Sequence, residues 1–178
     1  YDFSLGEHTS LLLGAGYYDF PTKGKVLGPF DELGRNSLDE KGAYLYDYEE
    51  VEAMAEFSTR IMDLPVMLFV DYVQNLDADE EDTAYALGLR LGNTKKRGSW
   101  KLGYTWQETD ADALLGVLTD SDFADGGTDS RGHVLSGSYA FTDFIQLTLT
   151  WFDTEYGKAS YGQYEDFDRL FIDLSFKY

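Results

Sequence analysis

Phe167-Asp-Arg-Leu-Phe-Ile-Asp-Leu-Ser-Phe-Lys-Tyr178 closes the chain, and its pattern governs how the rest is read. Counting back in steps of two, Tyr178, Phe176, Leu174, Ile172 and Leu170 share one face, while Lys177, Ser175, Asp173, Phe171 and Arg169 share the other. Period two is the repeat of a β-strand, whose successive side chains point to opposite faces of a sheet. An apolar strand left unpaired at a sheet edge in water invites aggregation. A barrel closed within a bilayer removes the edge and gives the apolar face a matching solvent.

Composition agrees with that reading. The 33 acidic and 14 basic residues among 178 give a formal net charge of -19, which argues against a nucleic-acid partner. No run approaches the roughly eighteen apolar residues that a transmembrane helix needs. A membrane barrel is not excluded, because alternating strands average to near-neutral hydropathy. The 14 Tyr and 12 Phe would supply interfacial girdles. With no cysteine there is neither a disulfide scaffold nor a thiolate metal site, which suits folding in an oxidising compartment. The sequence carries no initiator Met and no signal peptide, so position 1 is read as a processed or truncated start.

Alternation recurs upstream. Residues 1–5 read as the tail of a strand, and full strands are expected at 9–20, 43–60, 66–75, 83–91, 100–107, 133–141 and 145–152, before the closing one. Segment 43–60, rich in Ala, Glu and Met, also fits a helix. Short turns at 6–8, 62–65, 92–98 and 142–143 alternate with longer, Gly-rich or acidic connections at 21–41, 77–82, 110–132 and 153–166. Bacterial outer-membrane barrels show that alternation, with short periplasmic turns and long extracellular loops. The expected fold is therefore all-β, an antiparallel transmembrane β-barrel of about eight full strands, with residues 1–178 as one domain. The stub makes the strand number odd, whereas single-chain bacterial barrels have an even one, so at least one further strand is expected.

The two faces have different chemistry. Tyr17, Tyr72, Trp100, Trp106, Trp151, Phe176 and Tyr178 fall on the apolar face and are assigned to an aromatic girdle. Trp100 and Trp106 stand roughly 20 Å apart along one strand, close to the ~25 Å height of a lipid-facing band. Glu52, Glu56, Arg60, Asp71, Arg90, Lys101, Gln107, Arg169 and Asp173 fall on the opposite face and are assigned to the lining of a pore, with Asn75, Gln146 and Lys177 beside them. In a small closed barrel the same charges would instead cross-brace a plugged interior.

The stretches 69–75, 87–92, 98–104, 119–123 and 126–133, with Asp168-Arg-Leu170, resemble the C-terminal half of a putative-porin family of Gram-negative proteobacteria, over most of residues 45–178. The resemblance implies a longer protein of about 16 strands, placed in the bacterial outer membrane. It also implies a general diffusion channel for small hydrophilic solutes and ions, with no cofactor and no catalytic residue. Its partners would be outer-membrane lipid and lipopolysaccharide, and a homotrimer is expected by analogy. The acidic excess suggests a preference for cations. The alternative is a closed eight-stranded barrel with a structural or adhesion role through its loops.

Other chemistries find less support. Asp120, Asp122 and Asp125 superficially resemble a calcium loop, but Ala124 and Asp125 occupy positions that need a ligand and a glycine, so the segment is read as a solvated acidic loop with no metal assigned. The apolar insert 113–118 would either fold inward as a constriction or pack on a neighbouring subunit. An enzyme would use Asp129, His133, Ser136 or Ser138 at the rim, but His8 lies at the opposite end and supplies no second partner.

Overall fold

A computed structural model describes residues 1–28 and 34–177. Nine strands follow one another: β1 (Asp2–Gly6), β2 (Thr9–Phe20), β3 (Tyr48–Ile61), β4 (Leu64–Asn75), β5 (Thr83–Gly92), β6 (Trp100–Thr109), β7 (Ser130–Ala140), β8 (Ile145–Tyr156) and β9 (Glu165–Phe176). A one-turn helix, α1 (Lys158–Tyr161), precedes β9. The strands form a single antiparallel sheet in chain order, with β1 and β9 as open edges. None of the described helices is long and apolar enough to cross a membrane.

The segment that also fitted a helix is a strand, because Val51, Ala53, Ala55 and Phe57 pair in unbroken register with β2 and β4. The turn that sets this register holds Met62 and Asp63 at φ 48° and 68°. Two positive φ values match a two-residue hairpin turn of primed type, whose twist suits the flanking strands. Pro65 lies just inside β4, opposite Arg60. Pairing carries the face assignment from strand to strand, so one face can be followed across the sheet.

Three expected boundaries move. Residues 43–47 belong to the preceding loop, where Tyr44 bridges Leu38 and is buried against Tyr48 and Leu115. Packing between loops there overrides local alternation. The loop expected at 110–132 shortens to 110–129, since β6 runs to Thr109 and β7 starts at Ser130. The connection expected at 153–166 shortens more, because pairing between β8 and β9 continues from Asp153 opposite Asp168 to Tyr156 opposite Glu165.

The faces differ sharply in solvent exposure. Leu102 is 50% exposed, Leu135 43% and Ile172 67%, and most large apolar side chains of this outer face are likewise open. A contiguous apolar surface of this extent marks contact with a membrane or a partner. On the inner face, two apolar clusters are buried where long loops cover the strands. One joins Tyr44, Tyr48 and Leu115 with Phe20 and Leu38, and the other joins Phe123, Ala124 and Phe152 with Val134, Tyr156 and Phe171.

Candidate functional site

All nine side chains assigned to a pore lining stand on the inner face. Register orders them in rows along the strands. Glu52 lies opposite Gly16 and Val73; Asp71 opposite Met54 and Ala86; Gln107 opposite Ala86 and Gly132; Glu56 opposite Leu12 and Phe69. Nearer the short turns, Arg90 lies opposite Met67 and Gly103, Arg60 opposite Pro65, and Lys101 opposite Gly92 and Ser138, with Asp173 opposite Thr148. Acids thus occupy the loop-side rows of β3 and β4, and bases the turn-side rows of β3 to β6. Glu52 accepts from the Tyr18 hydroxyl at 2.9 Å. Gly88 is crowded by Phe69 and the Tyr104 carbonyl, each 2.5 Å from where a Cβ would stand, so the wall needs glycine there.

Loop 110–129 lies across this wall. At one end Leu115 N–H donates to Glu50 Oε1 on β3 at 3.0 Å. At the other, Arg169 on β9 donates to Asp122 Oδ1 at 3.1 Å, to Asp125 Oδ1 at 3.4 Å and to the Ser121 carbonyl. Between them Leu114 meets a small cavity of about 160 Å³ lined by Asp71, Val73, Ala84, Ala86 and Gln107. Buried Asp71 Oδ1 has no hydrogen-bond partner among the described residues. Ala113, Leu114 and Leu115 of the apolar insert thus pack on the inner face of their own chain, while Val117 and Leu118 stay exposed.

The loop is held by residues that the sequence did not single out. Asn36 Nδ2 donates to the carbonyls of Ala111 (2.8 Å) and Leu114 (2.7 Å), and Asn36 Oδ1 accepts from Gly116 N–H at 2.8 Å. Asp112, almost fully buried, accepts from Ser37 N–H and Tyr48 hydroxyl, both at 2.9 Å, and from Ser37 hydroxyl at 2.5 Å. Arg35 donates to the carbonyls of Thr128 and Ala124 and stacks over the Tyr156 ring at 4.5 Å. Burial lowers the Arg35 pKa, with the Asp129 charge opposing. Asn75, expected to face the lumen, is instead fully buried and donates to the carbonyls of Asp47 and Asp112. No local signal marks Asn36 or Asp112, because their partners lie far along the chain.

Two sequence readings change. Arg169 does not present a free positive charge, since Asp122 and Asp125 face it as ion-pair partners. Those aspartates thereby act as counterions of the wall, while Asp120 accepts from Asp122 N–H in a local turn. The rim residues named for catalysis do not converge. His133 stands on the outer face, with Nδ1 at 2.9 Å from the Tyr104 hydroxyl and its ring against Trp106, while Ser136 and Ser138 stand on the inner face. Asp129 accepts from Ala159 and Ser160 N–H.

On the outer face, Tyr17, Tyr72, Trp100, Trp106, Trp151 and Phe176 occupy outward positions, and Tyr178 lies outside the described residues. On β2 the outward run Leu11, Leu13, Ala15, Tyr17 meets Asp19 at its loop end; on β8 the run Ile145, Leu147, Leu149, Trp151 meets Asp153; on β9 Phe176 to Leu170 meets Asp168. Each apolar run is thus bounded by an acid on the loop side. Four outward positions at ~3.3 Å per residue span about 20 Å, close to the hydrocarbon-facing height of a barrel.

Compared with known proteins, the sequence matches the family described as "Putative porin" over residues 37–178. No curated protein and no solved structure matches it.

Proposed function

Because the chain belongs to the putative porin family, we propose that its sheet is part of the wall of a bacterial outer-membrane barrel and that the protein passes small hydrophilic solutes and ions by diffusion. The observation that carries this reading is loop 110–129, bonded to Glu50 on β3 and Arg169 on β9 across a polar inner face whose reverse is an apolar belt. A loop so placed narrows a lumen without filling it, and lipid solvates the belt. Residues 1–178 form one barrel domain of a protein of about 16 strands, the outer face meets lipid and lipopolysaccharide, and a homotrimer is the expected assembly. No catalytic residue or cofactor is assigned.

Cations are the preferred ions. Glu52, Glu56 and Asp71 line the wall at and just below the level of Leu114, where the lumen is narrowest and fixed charges act most strongly on a passing ion. Zero-current potentials under a salt gradient across a planar bilayer test this reading: current carried mainly by cations is expected, and a potential favouring anions would overturn the preference. A closed eight-stranded barrel acting through free loops is less well supported, because nine strands form one open sheet and the long loops are bonded to each other and to the wall.

A further inference from the structure

The turn-side end of the inner wall gathers basic side chains, within a chain of 33 acidic and 14 basic residues. Arg131 pairs with Glu155, Arg169 with Asp122 and Asp125, and Lys23 with Asp77. Arg60, Arg90, Lys95 and Lys101 have no carboxylate within ion-pair distance among the described residues, yet all four line one groove of about 430 Å³ with Ser58 and Asn93. Arg90 reaches only Met67 Sδ at 3.7 Å and the face of Phe69 at 5.1 Å, which leaves most of its donors unused. Like charges gathered in one groove repel each other, so an anion entering it is favoured there.

We propose that this groove is a binding station for small multivalent oxyanions, of the phosphate or polycarboxylate class, at the short-turn end of the wall. Arg60 on β3, Arg90 on β5 and Lys101 on β6 approach it from strands spaced about 5 Å apart, so their side chains converge on one volume. Arginine supplies a planar fork of N–H donors that matches an oxyanion edge, and lysine adds a compact positive charge. Two acids temper the field. Glu56 lies one row above Arg90, where it contacts the Ser58 hydroxyl at 3.4 Å, and Asp173 lies level with Lys101 but on β9, three strands away. The row of Asp71 lies about 13 Å above that of Arg90, at ~3.3 Å per residue. Along β3 to β6 the wall therefore changes sign, and an anion entering from the turn side meets the station before the rows of Glu56 and Asp71.

This inference rests on the channel reading, and its test separates the two. Single-channel currents of the full-length protein, inserted in one orientation, are recorded while inorganic phosphate is added to either chamber. Phosphate on the turn side is expected to reduce the current at several-fold lower concentration than on the loop side. The asymmetry should vanish in the Arg60→Gln/Arg90→Gln/Lys101→Gln variant and persist, weakened, in Arg90→Lys. Equal block from both sides, or asymmetry unchanged in the triple variant, overturns the station while leaving the channel standing. Complete absence of current would sink the channel reading instead. Calorimetric titration of phosphate into the folded protein in detergent then judges the station alone: binding lost in the triple variant upholds it, and no binding by the unmodified protein overturns it.

Discussion

The loop-crossed half and the bare half of the inner wall handle charge in opposite ways. Where loop 110–129 crosses the wall, Arg169, Glu50 and the loop's own Asp112 all find partners within the chain. Toward the short turns, Arg60, Arg90 and Lys101 stand on the inner face with no ion-pair partner among the described residues. A covered charge must be paired, since desolvation penalises it; an uncovered one can be left to water and solutes. The paired charges of the first half hold the loop in place; on the proposed channel reading, the unpaired ones, Asp71 near the loop and the bases toward the turns, act on a passing ion.

The largest expected effect comes from removing the buried anchor. Asp112→Ala strands the Tyr48 hydroxyl, the Ser37 hydroxyl and the Ser37 N–H, each worth about 1–3 kcal/mol when left buried and unpaired. Limited proteolysis should then cut within residues 110–129 and single-channel conductance should rise; an uncut loop with unchanged conductance would show that Asp112 does not hold it. Leu102→Lys tests the other side of the sheet. A lysine in the middle of the apolar run on β6 should cost about 2–4 kcal/mol in urea unfolding from lipid vesicles, and a negligible cost would argue that the outer face does not meet lipid.

Gly116→Ala probes the contact between the two long loops. Its Cβ would fall 2.0 Å from the Gly34 carbonyl oxygen, so backbone must shift, at about 1–3 kcal/mol for an overpacked site. A stability unchanged by this methyl group would mean that the loops are not interlocked. Arg169→Gln should be milder, within about 1 kcal/mol, because this ion pair is partly open to solvent. Its signature is functional: Asp122 and Asp125 lose their counterion, so preference for cations should increase. The smallest change in stability is expected from Glu52→Gln/Asp71→Asn, which should nevertheless shift the zero-current potential toward anions. Selectivity unchanged in that variant would place the filter elsewhere.

Period two fixed much of this in advance. The faces of β2, β4, β6 and β9 follow from alternation alone, and the short and long connections fall on opposite ends by parity. Where alternation failed, at residues 43–47, the cause was Tyr44 packing against Tyr48 and Leu115, which no local pattern encodes. Lys101 and Arg169 look alike in sequence, each on a polar strand face. The structure separates them, because only Arg169 lies beneath a loop that supplies aspartates.

By itself the sequence determined the strands, their two faces and the sign of the overall charge, because side-chain direction in a strand depends only on position parity. Tertiary structure alone decided which charges are neutralised, where the loop lies and which bases are left unpaired. Asn36 meets residues 75 to 92 positions away, and Asp112 meets Ser37 across 75 positions. Such contacts form only when the sheet has brought two distant loops to the same end of the wall.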